Sequence, residues 1–235
     1  MVRRQKLSDE VRRGLLELIK SGEVGLGEPL PSERELMEQF GVGRPAIREA
    51  MQSLETIGLI EIRHGGRARV SEPSVGRMVD QISETMKHLL ANSPASLENL
   101  KEARATFERE MARIAARRRS AADLERLLQI LAEQSLAAAD DPARFRMLDG
   151  FFHSEIARIS GNPIFGALID ALFRWLSDFH VDLVSVPGLE ELTLAEHREI
   201  LAAITRADAE GAARAMGDHL MRANELYRQS HLIRR

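Results

Sequence analysis

The sequence predicts a mainly α-helical protein, in which an N-terminal winged helix-turn-helix is joined by a linker to an all-α antiparallel bundle of six or seven helices. Three observations predict this fold. Two short helical patterns flank a glycine-containing turn at 41–43. Two short alternating runs, 59–63 and 67–70, then surround a glycine turn at 64–66, as in a β-hairpin. Beyond residue 76, apolar residues recur at helical spacing almost throughout.

The N-terminal elements have recognisable start and stop signals. A first helix is expected from Leu7 to about residue 21, with Ser8 as its N-cap. Ser32 is a good N-cap for the next helix, and Glu35 three residues later completes a capping box. On 31–54 alone, an ordinary αα-hairpin is the alternative. The basic hairpin that follows favours a winged helix-turn-helix, which is a DNA-binding motif.

The placement of charge, rather than its sum, indicates a nucleic-acid partner. The chain has a net charge of −3, and its first 72 residues hold twelve Lys or Arg and twelve Asp or Glu. This balance argues weakly against DNA binding. However, six arginines fall on the helix-turn-helix or just after it, with a solvated surface charge as the alternative for each. These are Arg34, Arg44, Arg48, Arg63, Arg67 and Arg69.

The composition of the chain indicates where the protein acts and where its two domains divide. The chain has no cysteine, which excludes disulfides and cysteine-ligated metals. The N-terminus has no apolar signal core, and no apolar run is long enough to cross a bilayer. We therefore expect a cytoplasmic protein with no membrane partner. A linker rich in Pro, Ser and Gly is expected at 73–76, between domains at 1–72 and 77–235.

Histidines of the second domain could share one site. Asp149 and His153 are four residues apart on one helix face, and His197 and His219 lie on later helices. One carboxylate and three imidazoles suit one divalent transition metal, Zn first, with Ni or Mn as alternatives. Scattered surface or core histidines are the commoner explanation of such spacing. A hydrolytic metal is another alternative, but no nucleophile or general-base motif is visible, so we expect no enzyme.

Three segments resemble the N-terminal DNA-binding domain of the GntR family of bacterial transcription regulators: LPSEREL at 30–36, VGRPAIREA at 42–50 and GLIEIRHGG at 58–66. The resemblance implies that arginines read the major groove, that small residues allow the recognition helix to approach closely, and that the wing reaches the minor groove. The implied DNA contacts are Arg34, Gly43, Arg44, Pro45, Ala46, Arg48, His64, Gly65 and Arg67.

The second domain resembles the FCD domain, the all-helical effector-binding domain of the FadR-type subfamily. All four positions of that family's metal-binding pattern match, at Asp149, His153, His197 and His219. The segment LKEAR, which ends at Arg104, matches the place of an arginine in the family's ligand pocket. The resemblance thus implies that Arg104 binds the effector. The alternative is that Arg104 forms only a surface ion pair with Glu108, four residues later on the same helix.

Together these features predict a DNA-binding transcription regulator, a repressor, that is released by a small acidic metabolite bound at the metal-containing pocket. One recognition helix reads few base pairs, so we expect a homodimer on a palindromic or repeated operator. A narrower resemblance, which includes 67–71 and 161–165, implies N-acetylneuraminate as effector. Citrate, lactate or a gluconate-like sugar acid are alternatives. A further alternative is an architectural DNA-binding protein that binds neither a metal nor an effector.

Overall fold

The computed structural model describes residues 6–63, 66–180 and 189–233, apart from the side chains of 178–180 and 225–233. Within these residues the chain forms ten helices and two short strands. It divides into two compact units, Met1–Ile82 and Ser83–Arg235. Helix α4 (Val75–Asn92) crosses this division, so two of the four residues expected in a linker are helical. The domain boundaries at 72 and 77 stay predictions.

The first unit contains the predicted winged helix-turn-helix elements. Its helices and strands are α1 (Leu7–Lys20), α2 (Glu33–Phe40), α3 (Arg44–Thr56), β1 (Ile60–Glu61) and β2 (Arg69–Val70). Helix α1 packs against α3, and the apolar faces of all three helices meet the wing in one core. The core includes Val11, Leu15, Leu30, Leu36, Ile47, Leu54, Ile60 and Val70.

Local chemistry explains both ends of helix α2. Ser32 and Glu35 form the predicted capping box at the start of α2. Gly41 has φ 63°, a left-handed conformation that glycine adopts without strain, and it permits the tight turn into α3. The predicted cap at Ser8 is wrong. Helix α1 begins one residue earlier, at Leu7, and Ser8 is buried within its first turn.

The wing is an antiparallel pair with Ile60 opposite Val70 and Glu61 opposite Arg69. The strands are shorter than the predicted runs. The loop before α2 pairs with the other edge of β2, because the Val70 N–H donates to the Glu28 carbonyl at 2.9 Å and the Gly27 N–H donates to the Val70 carbonyl at 2.9 Å. This pairing attaches the loop to the wing. The predicted wing tip, His64 and Gly65, lies outside the described residues.

The described part of the second unit consists of helices joined by short turns. After α4 come α5 (Pro94–Arg118), α6 (Ala121–Ala137), α7 (Pro142–Arg158), α8 (Pro163–His180), α9 (Leu189–Thr205) and α10 (Ala209–Ile233). Side chains of Ser93, Ser120 and Asp141 cap α5, α6 and α7. Helix α5 packs along α10, which also contacts α9, while α6 packs on α7 and α9. The mainly helical fold class is confirmed.

Polar side chains are buried inside this second unit. Arg104, Glu108, Gln134, His153, His197 and His219 are all less than one-tenth exposed. Buried polar groups are costly unless they have partners, so a cluster of this kind needs an explanation. None of the helices in the described ranges is long and apolar enough to span a bilayer.

Candidate functional site

The structure brings the four residues of the predicted metal site together. Helix α7 supplies Asp149 and His153, α9 supplies His197 and α10 supplies His219. One potential ligand atom from each residue lies within 4.8 Å of the others. The three imidazoles are buried and Asp149 is half-buried. Three helices of one bundle thus direct four donor groups towards a single point.

Each imidazole of this cluster donates its Nδ1–H to an oxygen on another helix. The pairs are His153 with Glu108, His197 with Gln134 at 3.0 Å, and His219 with Glu196 at 2.7 Å. Because the acceptors are carboxylate and amide oxygens, the ring proton belongs on Nδ1, and Nε2 of each ring keeps its lone pair. Histidines that bind metals through Nε2 are typically oriented in this way.

The inner nitrogens of the cluster lack protein partners. Nε2 of His153 and Nε2 of His197 are buried with no hydrogen bond to any described residue. Nε2 of His197 lies 3.4 Å from Asp149 Oδ1, so two lone-pair atoms face each other. A second proton on that ring is disfavoured, because burial above all holds the pKa of His197 well below its ordinary value. A cation between the two atoms would satisfy both.

The donor set suits one metal ion. A bond from Zn to an imidazole nitrogen is about 2.0–2.1 Å, so two ligand atoms of one ion lie at most about 4.2 Å apart. The observed span of up to 4.8 Å exceeds this limit, so the ligand atoms must move inward around a bound ion. One carboxylate oxygen and three imidazole nitrogens suit Zn, Ni or Mn. The cluster therefore has the chemistry of a divalent-metal site.

Arg104 lies beside this cluster and shares a partner with it. Its Nε donates to Glu108 Oε1 at 2.5 Å, and Glu108 also accepts from His153. The guanidinium carbon lies 4.1 Å from the ring centroid of Phe173. Burial alone would raise the pKa of Glu108, but the positive charge of Arg104 and the hydrogen bonds from Arg104 and His153 lower it to about 2. The pair considered above as a surface contact is therefore present but buried.

Sequence reasoning missed the residues that hold the imidazoles. Gln134 and Glu196 were not singled out, and Glu108 was considered only as a surface partner of Arg104. Only Glu108 carried a signal, its helical spacing from Arg104. Nothing in the local sequence connects Gln134 with His197, because the two lie 63 positions apart.

The predicted DNA contacts of the recognition helix lie in the first two turns of α3 and at its N-cap: Gly43, Arg44, Pro45, Ala46 and Arg48. The Arg44 and Arg48 side chains are 62% and 63% exposed. Gly43, at the N-cap, provides no side-chain cap. Pro45 has no N–H and the Ala46 N–H donates to the Gly43 carbonyl at 3.0 Å, which leaves the Arg44 N–H for an anion such as a phosphate.

Two further predicted contacts flank this helix. Arg34 is 78% exposed in the first turn of α2 and pairs with Glu38 at 3.2 Å. Arg67 is exposed on the wing and, with Arg48, lines a cavity of about 430 Å³ between α3 and the wing. The structure thus groups exposed arginines from α2, α3 and the wing on the first unit.

Residues 7–70 match the gntR family of bacterial regulatory proteins, and residues 99–222 match the FCD domain. The second match alone covers more than half of the chain. The chain belongs to the GntR family. The predicted family and its FCD subfamily are thereby confirmed, and both matched segments coincide with the two regions described above.

Related proteins agree with this GntR assignment. The HTH-type transcriptional repressor NanR of Cronobacter sakazakii is 39% identical over 92% of this chain and 84% of that protein. NanR of Edwardsiella tarda is 38% identical over 98% and 87%. The solved structure of a Streptococcus agalactiae GntR is 28% identical, with a TM-score of 0.56 over 93% of this chain and 99% of that one. These relatives are regulators, which confirms the expectation that this GntR-family chain is not an enzyme.

Proposed function

We propose that this chain is a DNA-binding transcriptional repressor that leaves its operator when a small acidic metabolite binds at a metal site in the second unit. The observation that carries the proposal is the pair of buried, unpartnered Nε2 atoms of His153 and His197, which lie beside the carboxylate of Asp149. The names of the NanR relatives support repression rather than activation. A repressor acts on the chromosome, so we place the chain in the cytoplasm.

The first unit would bind operator DNA through exposed arginines. The guanidinium groups of Arg44 and Arg48 can each pair with O6 and N7 of a guanine in the major groove. Arg34 and Arg67 would contact phosphates and position the recognition helix. One such helix reads too few base pairs to find a site in a genome, so we propose a homodimer on a palindromic or repeated operator.

The second unit would recognise the effector by its acid group. Asp149, His153, His197 and His219 would hold one divalent transition metal, with Zn as first choice and Ni or Mn as alternatives. The bound metal would supply a Lewis-acid site for one carboxylate oxygen. Arg104 would pair with the same acid group, because a guanidinium forms strong, directed bonds with carboxylates.

A resemblance seen in the sequence is the basis for proposing an acidic sugar as the effector. The narrower resemblance noted from the sequence is to NanR, the repressor of sialic acid catabolism, and it implies N-acetylneuraminate. That molecule carries the carboxylate that the metal and Arg104 would require. Citrate, lactate and gluconate-like acids have the same group and are the alternative effectors. For release, the effector must bind the DNA-incompetent arrangement more tightly than the DNA-bound one. Residues 73–76 are proposed as the connection between the domains.

A thermal-shift screen of acidic metabolites on metal-replete protein tests the effector. A ligand at about 100 times its dissociation constant stabilises the native state by about 2.7 kcal/mol, which gives a readily measured rise in Tm. We expect N-acetylneuraminate to raise Tm and to release operator DNA. Stabilisation by a di- or tricarboxylate, with no effect of N-acetylneuraminate, would reject the sugar and keep the acid-sensing pocket.

The hydrogen bond between His197 and Gln134 gives a further prediction. Gln134→Leu removes the oxygen that orients the His197 ring, so metal affinity should fall about 10- to 100-fold. The measurement is a competition titration against a chelating dye. Gln129→Leu is a matched control, because Gln129 lies exposed on the same helix α6 and bonds only to Glu133 among described residues. Equal metal affinity in the two variants would contradict the orienting role.

A further inference from the structure

The carboxylate of Glu33 lies between the two arginines at the start of the recognition helix. Arg48 Nε donates to Glu33 Oε1 at 2.9 Å, and Arg44 Nε lies 3.2 Å from Glu33 Oε2. Glu33 is the first residue of α2, and its side chain is 30% exposed. One acid on a neighbouring helix therefore contacts both arginines to which we assign base recognition.

These contacts use the inner nitrogen of each guanidinium. The outer edge, which bears the two terminal amino groups, is the edge that pairs end-on with guanine O6 and N7. Long arginine side chains lose rotamer freedom when they bind, and a carboxylate behind them reduces that loss. Arg44 and Arg48 can therefore contact guanine while Glu33 still holds them.

The same carboxylate opposes contacts with phosphate. A phosphate that approaches Arg44 or Arg48 meets a cation whose charge Glu33 already offsets, and it comes close to a second anion. Non-specific DNA affinity depends on such phosphate contacts, whereas guanine recognition depends on directed hydrogen bonds. The first 72 residues have no net charge, so non-specific attraction is already weak.

We propose that Glu33 is a positioning residue that raises the ratio of operator affinity to non-specific DNA affinity, acting through Arg44 and Arg48. The inference rests on the proposed role of these two arginines in DNA binding. It gives a function to a residue that the sequence pattern did not single out, and it assigns the acid a role in specificity rather than in stability.

The test compares operator and random DNA. Wild-type protein first selects its operator from a library of random duplexes, and affinities are then measured by fluorescence anisotropy at several salt concentrations. Glu33→Gln should lower the operator-to-random ratio on the order of fivefold. It should also steepen the dependence of log K on log salt for random DNA by about one unit for each arginine released. Unchanged thermal unfolding would show that the variant is folded.

Two variants separate positioning from other effects. Glu49→Gln makes the same charge change on α3, where Glu49 pairs with Lys6 at 3.5 Å, and it should leave the ratio unchanged. Glu33→Asp keeps the charge, so its ratio of operator affinity to random-DNA affinity should fall less than the ratio of Glu33→Gln. If the affinity ratio is unchanged in Glu33→Gln, or falls equally in both Glu33 variants, the proposed role of Glu33 is wrong, while the proposed function of the protein still stands. A wild-type protein that selects no sequence would overturn the proposed function as well.

Discussion

Asp149→Ala combined with His197→Ala is expected to abolish metal binding and the stability that depends on it. In the wild type, a metal present at about 1,000 times its dissociation constant contributes about 4 kcal/mol to the free energy of unfolding. The double variant loses two of four donors from two helices. The measurement is metal content by elemental analysis, together with thermal unfolding before and after treatment with a chelator.

The control for this prediction uses the same residue types elsewhere in the second unit. Asp140 and His88 are exposed, so Asp140→Ala combined with His88→Ala should keep one metal per chain and the full response to chelator. Chelator should lower Tm of this control and of the wild type, and should not change Tm of the Asp149 and His197 variant. Retention of metal by that variant would contradict the site.

Arg44→Ala and Arg48→Ala should each lower operator affinity about 10- to 100-fold, because a bidentate contact with guanine contributes about 1–3 kcal/mol of discrimination. If the two contacts act independently, the double variant should lose about 10²- to 10⁴-fold. Selection from random duplexes should also show weaker base preference at the positions that each arginine reads. The exposed positions of both side chains agree with direct contact to DNA.

A surface arginine of α1 provides the control for these variants. Arg13 is exposed in the first unit, and Arg13→Ala removes one charge without touching α3. We expect this control to leave the preferred base sequence unchanged. If Arg44→Ala weakens operator and random DNA by the same factor as Arg13→Ala, the arginine contributes charge only, and its assignment to base recognition is wrong.

The helices could be predicted because their ends are encoded locally. Ser32 with Glu35, Gly41, and the caps at Ser120 and Asp141 each act within a few residues, and their signals are visible in the sequence. Ser8 was the exception, because a serine in the first turn also fits as a buried helical residue. The paired loop before α2 was missed, since a Gly- and Pro-rich segment carries no strand pattern.

The candidate site could be predicted only in part. The four donor residues match a family pattern, and the structure places them together. The acceptors that orient them lie 45, 63 and 23 positions from their histidines, on other helices. The Glu33 contact with Arg48 spans 15 positions and crosses a turn. No periodicity encodes such pairs, because they depend on how the helices pack rather than on spacing along one helix.

The most direct test of a metal-dependent effector site combines metal, effector and DNA in one titration. Operator DNA bound to metal-replete protein is titrated with N-acetylneuraminate and followed by fluorescence anisotropy, and the titration is repeated after metal removal and with the Asp149→Ala, His197→Ala variant. We predict release of DNA from the metal-replete wild type. The metal-free protein and the double variant should each need at least a tenfold higher effector concentration for the same release, equal to about 1.4 kcal/mol. Equal release in all three would contradict a metal-dependent effector site.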